Sequence, residues 1–162
     1  MGVKHATSIL AAALLLALFA ALAADLSQAV AQASPEVHWQ SLERAQALQK
    51  AEGKPMVVFF HLSYCWRCKE MKRKVYADAR VSDRLNRQFI PAEVDLAQRE
   101  ELGRSLGVDY VPTHLFLAPD GHEVLREKGV IALEDYLLML DYLAGGHYAA
   151  MSFQAYTESR RK

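Results

Sequence analysis

The chain contains two cysteines, Cys65 and Cys68, separated by Trp66 and Arg67. Two thiols at this spacing can cycle between a dithiol and a disulfide, supply half of a tetrahedral zinc site, or form a structural cross-link. A disulfide between residues so close in sequence closes a very small loop, so it removes little conformational entropy from the unfolded chain. A structural cross-link is therefore the weakest of the three interpretations.

A zinc site would need two further ligands. His61 and His114 are the candidates, because one lies near the end of the apolar run before the cysteines and the other follows Pro112 closely. Structural zinc sites usually draw their ligands from two closely spaced pairs, and this sequence has only one. The spacing favours redox chemistry, and no metal is expected.

The cysteines lie where a predicted strand passes into a predicted helix. Residues 56–62 (MVVFFHL) form a nearly continuous apolar run, which is typical of a central strand covered on both faces. A helix is predicted from Cys65 to about Tyr76. Unpaired amides and the positive end of a helix stabilise an anion, so Cys65 is the expected nucleophilic thiolate. Cys68, one turn further on, is expected to resolve the mixed disulfide.

Helices and strands alternate along the rest of the chain. Ser41 is the predicted N-cap of a helix that ends near Lys50, and Ser82 is the predicted N-cap of a short helix that ends near Gln88. This alternation predicts an α/β domain with a mixed central sheet of four to five strands and helices on both faces. The other predicted strands are residues 89–95, 113–117 and 123–126, and the other predicted helices are residues 100–106 and 133–143.

Residues 1–33 have the pattern of a secretory signal peptide. A short basic start is followed by an uncharged Ala/Leu run, and small residues then permit cleavage after Ala31 or Ala33. The apolar run is near the lower limit for crossing a bilayer, so an uncleaved membrane anchor is the alternative. Export predicts a periplasmic or similarly oxidising location for the domain.

Charge and length limit the remaining function classes. The 162 residues include 19 basic and 19 acidic side chains, so the chain has no net charge. A neutral chain gives no reason to expect nucleic acid as a partner. One domain at residues 34–145 and a helical tail at residues 146–162 account for the length after the leader. Tyr148, Met151 and Tyr156 in that tail are predicted to form an apolar stripe that packs on the domain or docks a partner. A monomer is expected.

From about His38 to Leu143 the sequence resembles the thioredoxin superfamily. The resemblance rests on the apolar strand that leads to Tyr64 and the cysteine pair, the Val111-Pro112-Thr113 step, and the turn at residues 119–121. It implies a thioredoxin-like fold with a cis-proline at Pro112 facing the cysteines and substrate backbone pairing beside that proline. The sequence is most similar to exported thioredoxin-like proteins and to the C-terminal domain of the bacterial transmembrane thiol reductase.

The resemblance implies a thiol–disulfide oxidoreductase that acts on protein or small-molecule disulfides. No bound cofactor is expected, because the electrons reside in the Cys65–Cys68 dithiol. A reductase in an oxidising compartment needs an electron donor, and a membrane thiol carrier is the expected one. Besides the two cysteines, the residues expected to position substrate are Tyr64, Trp66, Arg67, Val111, Pro112 and Thr113.

Two departures from the family pattern bear on mechanism. Thioredoxins proper carry Gly-Pro between the cysteines, where this chain has Trp66-Arg67. They also place a buried acid six residues before the first cysteine, where this chain has Phe59, so Glu93 or a water molecule is the candidate proton acceptor for Cys68. A compact domain favours a reductase. An oxidase or isomerase with the same site, and a thioredoxin-fold adaptor without activity, remain the alternatives.

Overall fold

The computed structural model describes residues 36–160. The predicted signal peptide, its cleavage sites and the last two residues of the chain lie outside the described residues. Within residues 36–160, no helix combines the length and the apolar character that crossing a bilayer requires.

Four strands form one mixed sheet, in the order β2-β1-β3-β4. The central strand β1 runs parallel to β2 and antiparallel to β3, and β3 and β4 form an antiparallel hairpin. The predicted mixed sheet is therefore confirmed. The strands are β1 (Met56–His61), β2 (Ile90–Asp95), β3 (Thr113–Leu117) and β4 (Glu123–Lys128).

Six α-helices surround the sheet in the described residues. The first begins after Ser41, whose hydroxyl accepts a hydrogen bond from the Arg44 N–H at 3.3 Å, as predicted for its N-cap. A π-helical turn, Lys72–Tyr76, continues the second helix, and a 3₁₀ turn, His147–Ala149, precedes the last. The helices are α1 (Leu42–Glu52), α2 (Trp66–Met71), α3 (Ala79–Gln88), α4 (Glu100–Ser105), α5 (Leu133–Ala144) and α6 (Phe153–Arg160).

Strand β1 lacks alternation between polar and apolar residues because both of its faces are buried. Val57 and Phe59 pack into a cluster with residues of α2, α3 and α5. Val58 and Phe60 pack on the opposite face with residues of α1 and, at its margin, α4. Burial on both faces accounts for the apolar run in the sequence and confirms the prediction of helices on both sides of the sheet.

The prediction that Ser82 starts α3 is wrong. Asp78 has the extended conformation of an N-cap, and its carboxylate accepts a hydrogen bond from the Arg80 N–H at 2.9 Å, so the helix begins at Ala79. Ser82 lies inside the helix, fully buried, and its hydroxyl donates to the Asp78 carbonyl at 3.2 Å. A serine whose hydroxyl donates to a carbonyl of the preceding turn can be accommodated inside a helix and need not be its N-cap.

The tail after α5 packs against that helix through aromatic side chains. The ring of Tyr156 is buried, with its centroid 5.3 Å from that of Tyr142 and 4.7 Å from that of His147. The Tyr142 hydroxyl donates to the Met151 carbonyl at 2.5 Å. Of the predicted apolar stripe, Tyr156 is buried, Tyr148 is half-buried and the Met151 side chain stays 40% exposed.

Candidate active site

Cys65 is the N-cap residue of α2. Strand β1 ends at His61, and the turn that follows is closed by a hydrogen bond from the Cys65 N–H to the Leu62 carbonyl at 3.0 Å. The Cys65 Sγ accepts a hydrogen bond from the Cys68 N–H at 3.3 Å. The first sulfur therefore lies at the helix start, as predicted, where backbone N–H groups favour an anion.

Cys68 lies one turn deeper and is only 2% exposed. Its side chain belongs to the core cluster that also contains Met71 and Phe59, whereas Cys65 is half-buried at the edge of that cluster. Burial, together with a smaller contribution from the hydrogen bond to Cys65, raises the pKa of the Cys68 thiol to about 12. Both cysteines are free thiols, and of the two only Cys65 is accessible to a substrate disulfide.

The loop before β3 forms the second wall of the site. The Val111–Pro112 peptide bond is cis, and the Val111 carbonyl oxygen lies 4.0 Å from the Cys65 Sγ. The Gly129 N–H donates to the Pro112 carbonyl at 2.7 Å, and the Thr113 hydroxyl donates to the Tyr110 carbonyl at 2.7 Å. Within residues 36–160, neither backbone polar group of Val111 is paired with another backbone group. An extended peptide could pair there, directly beside Cys65.

Aromatic side chains and one guanidinium group surround Cys65. Tyr64 and Trp66 are 73% and 66% exposed, which is unusual for large apolar side chains. The Arg67 guanidinium lies 5.3 Å from the centre of the Trp66 ring and 5.8 Å from that of Tyr110, and it donates a hydrogen bond to the Tyr110 hydroxyl. The sequence analysis missed Tyr110, although an aromatic residue directly before Val111-Pro112 was a visible signal.

Phe59 is fully buried in the core cluster that contains Cys68, and Glu93 lies opposite it across the β1–β2 pair. The Glu93 carboxylate is 33% exposed, lies 2.7 Å from the Lys72 ammonium and 3.5 Å from the His61 Nε2. The Lys72 N–H donates to the Cys68 carbonyl, so this lysine lies one turn beyond the buried thiol. A carboxylate is therefore held on the flank of the helix that carries Cys68.

The two histidines considered as zinc ligands have other surroundings. The His61 ring lies beside Glu93 and stacks on Phe59, with centroids 5.2 Å apart. His114 is fully buried, and its ring stacks on that of its cross-strand partner Phe59 with centroids 5.3 Å apart. In the described residues, neither of its ring nitrogens makes a hydrogen bond. Across residues 36–160, no three His, Cys, Asp or Glu side chains are grouped so that they could hold a metal ion.

The family model described as "Thioredoxin-like domain" matches residues 42–144. The chain belongs to the thioredoxin-like family. This thioredoxin-like chain is 36% identical over 81 residues to the thiol:disulfide interchange protein DsbD of Citrobacter koseri, an alignment that covers 48% of this chain and 14% of that protein. It is 31% identical over 97 residues to the chloroplastic thioredoxin-like protein HCF164 of Oryza sativa subsp. japonica, covering 59% of this chain and 36% of that protein.

Solved structures give the same assignment. A thioredoxin from Thermus thermophilus aligns with a TM-score of 0.60 and 33% identity, covering 65% of this chain and 85% of that one. The DsbH oxidoreductase aligns with a TM-score of 0.58 over 68% of this chain and 85% of that one, and at 19% identity it supports the fold alone. The predicted thioredoxin-like fold is confirmed, and the closely spaced cysteine pair lies within a domain whose relatives are thiol–disulfide oxidoreductases.

Proposed function

We propose that this protein is a thiol–disulfide oxidoreductase that reduces protein disulfides through Cys65 and Cys68. One observation carries the proposal: a reachable sulfur caps the start of α2, and a second sulfur lies buried one turn behind it. This arrangement gives the two thiols different tasks, because a substrate can contact only the outer one. Cys65 is the proposed nucleophile, and Cys68 is the proposed resolving thiol.

The proposed reaction has two exchange steps. The Cys65 thiolate attacks one sulfur of the substrate disulfide, so a Cys65–substrate disulfide forms and the first substrate thiolate leaves and takes up a proton. Cys68 then loses its proton and attacks the Cys65 sulfur, which forms the Cys65–Cys68 disulfide and releases the second substrate thiol. Two electrons pass from the dithiol to the substrate, so no bound cofactor is required.

The loop before β3 is the proposed substrate platform. Within residues 36–160 the N–H and C=O of Val111 have no backbone partner and lie next to Cys65, so an extended substrate segment can pair with them as an added strand. Pro112 and Thr113 hold this edge through the hydrogen bonds of their backbone and side chain. Tyr64 and Trp66 provide apolar contact area around the attacked sulfur.

The proposed setting is an oxidising compartment outside the cytoplasm. The pattern of residues 1–33 supports export, and the similarity to a protein named as a thiol:disulfide interchange protein supports a place in a chain of thiol exchanges. Each turnover leaves Cys65 and Cys68 oxidised, so a donor thiol must reduce them again. A membrane thiol carrier is the proposed donor, and the proposed active form is a monomer.

The activity is tested by single turnover of the purified, reduced protein with insulin. The wild-type protein should reduce the insulin disulfides, and Cys65→Ser should abolish the reaction because it removes the nucleophile. Cys68→Ser is the matched variant, since it keeps the nucleophile and should accumulate a mixed disulfide detectable by mass spectrometry. Insulin reduction that survives Cys65→Ser would remove the basis of the proposal.

The direction of electron flow is tested by equilibration with glutathione. A reduction potential of about −270 mV would support a reductase, whereas a potential of about −120 mV would support a disulfide donor. The measurement is the ratio of dithiol to disulfide at defined glutathione ratios, determined after acid quenching and thiol alkylation. An intermediate potential of about −180 mV would favour an isomerase.

A further inference from the structure

Positive charge is concentrated on the helix that begins at Cys65. The chain as a whole has no net charge, yet the stretch from Trp66 to Lys74 holds five basic residues and one acidic residue. The Lys74 ammonium is paired with Glu70 at 2.6 Å, and the Lys72 ammonium is paired with Glu93 at 2.7 Å. These two pairs leave three further cations on the same helical segment.

The three remaining cations are Arg67, Lys69 and Arg73. All three are exposed, and within residues 36–160 none of them lies within 4.0 Å of a carboxylate oxygen. Their charge is therefore offered to solvent rather than neutralised inside the protein. Exposed cations of this kind attract anionic partners and raise their rate of association.

Arg67 differs from the other two because its guanidinium is held in place. It lies over the Trp66 and Tyr110 rings and donates one hydrogen bond to the Tyr110 hydroxyl. Trp66 follows Cys65 directly, and Tyr110 precedes Val111, whose carbonyl contacts the Cys65 sulfur. The Arg67 side chain therefore links the two walls of the site, beside the path by which a disulfide must approach.

The held guanidinium keeps unused hydrogen-bond donors. Arginine has five N–H donors in a planar fork that suits a carboxylate, and Tyr110 accepts from one of its nitrogens. The neighbouring acid, Asp109, does not compete for it, because the Asp109 carboxylate is paired with the Lys128 ammonium at 2.5 Å. Among residues 36–160, the Arg67 guanidinium is thus a positioned donor group that has no carboxylate partner.

We propose that this surface, formed by Arg67, Lys69, Arg73 and the Trp66 and Tyr110 rings, selects protein disulfides whose reactive cysteine is flanked by acidic side chains. This inference rests on the proposed function, since the selected molecule is the substrate of Cys65. A carboxylate within two residues of the attacked sulfur forms the bidentate pair with Arg67. Lys69 and Arg73 add attraction at longer range along the helix.

The test uses three peptides that each carry one cysteine and are linked as disulfide homodimers. The residues on both sides of the cysteine are Glu, Gln or Lys, and the rest of the sequence is the same. Single-turnover rates with the reduced protein are measured by chromatography of the released peptide thiol. The Glu peptide should react about three- to tenfold faster than the Gln peptide, and the Lys peptide should react more slowly than both.

The preference should depend on the charges named here. Arg67→Gln should bring the ratio of the Glu to the Gln rate close to one, and Arg67→Lys should restore part of it because the charge returns without the fork. Lys50→Gln, at the end of α1 away from the cysteines, makes the same change in net charge and should leave the ratio unchanged. About 1 M NaCl should remove most of the preference in the wild-type protein, because screening then acts within about 3 Å.

The outcomes separate the two proposals. Equal rates for the three peptides, or a preference that survives both Arg67→Gln and high salt, would overturn the inference and leave the oxidoreductase function intact. A protein that reduces none of the peptides would overturn the proposed function itself. If Arg67→Gln fails to fold, Arg73→Gln should lower the ratio of the Glu to the Gln rate, and high salt should remove most of the preference. A ratio that is unchanged in both experiments would overturn the inference.

Discussion

His114 should make the fold unusually sensitive to mild acid. Its ring is fully buried between Phe59 and Tyr136, with centroids 5.3 Å and 5.9 Å away, and neither nitrogen has a hydrogen-bond partner. Burial lowers the pKa of His114 to about 3, and the nearby Glu127 backbone is the smaller, opposing influence. The folded protein therefore holds this imidazole neutral, whereas the unfolded chain binds a proton near the ordinary pKa of about 6.5.

The sign of the effect follows from proton binding. Below about pH 6.5 the unfolded state takes up a proton that the folded state excludes, so the free energy of unfolding falls as the pH falls. The loss is about 1.4 kcal/mol for each pH unit until the folded-state pKa is approached. Integrated from about pH 8 to about pH 5, His114 alone should cost about 2 kcal/mol.

Urea unfolding at several pH values measures this loss. A change of about 2 kcal/mol corresponds to a shift of roughly 1 M in the urea midpoint for a domain of this size. His114→Phe keeps an aromatic ring in the stack and removes both nitrogens. His114→Leu also removes both nitrogens, with an aliphatic side chain that is smaller than that of phenylalanine. Both variants should lose about 2 kcal/mol less than the wild type between the same two pH values, whatever their stability at pH 8.

The control is His38→Gln, which removes an exposed histidine whose side chain makes no hydrogen bond in the described structure. Because it leaves the buried imidazole in place, the stability loss caused by His114 should persist in this variant. Part of the acid sensitivity that remains in the His114 variants should come from His61, whose pKa is also lowered, first by burial and then by Lys72. If the His114 variants lose as much stability as the wild type, the imidazole is not held neutral and the reasoning from burial is wrong.

Two further predictions concern the resolving step and the tail. Glu93→Gln should slow the release of substrate from the mixed disulfide by at least about tenfold, because the Cys68 thiol, with its pKa raised to about 12, needs a base nearby. Stopped-flow measurements of the release rate across pH test this expectation. An unchanged pH profile would exclude Glu93 as that base. Tyr156→Ala should expose the tail to proteases while changing the disulfide-reduction rate less than about twofold, because Tyr156 packs on Tyr142 and away from the cysteines. Limited proteolysis measures the exposure of the tail, and the insulin assay measures the rate. A tail that stays resistant to proteases would contradict the packing argument.

Local sequence patterns predicted the parts of the fold that local forces determine. The apolar run of β1 predicted a strand covered on both faces, and the observed burial of Val57 and Val58 on opposite sides confirms it. The position of Cys65 at a helix start followed from the same strand–helix step. The start of α3 was mispredicted because Asp78 and Ser82 both suit an N-cap, and only the backbone conformation of Asp78 decides between them.

Contacts between distant residues could not be predicted in the same way. The Arg67–Tyr110 hydrogen bond joins residues 43 positions apart, and it depends on how the loop before β3 approaches α2. The Glu93–Lys72 pair depends on the register of β2 against β1, because a shift of one residue would turn the Glu93 side chain to the other face of the sheet. The sequence identified Glu93 as a candidate, and the register supplied its position.

The replacement of a buried acid by Phe59 changes where a proton can leave the site. A carboxylate at position 59 would lie in the core beneath Cys68, whereas Phe59 fills that volume with an uncharged ring. The Glu93 carboxylate is instead a third exposed and held by Lys72 at the edge of the sheet, so it can exchange protons with solvent directly. A base at the edge avoids the cost of burying a charge, and in its proposed role Glu93 would act on Cys68 only while Lys72 holds it beside the helical segment that carries this thiol. The proposed role therefore ties the resolving step to the Lys72–Glu93 pair between this segment and the sheet.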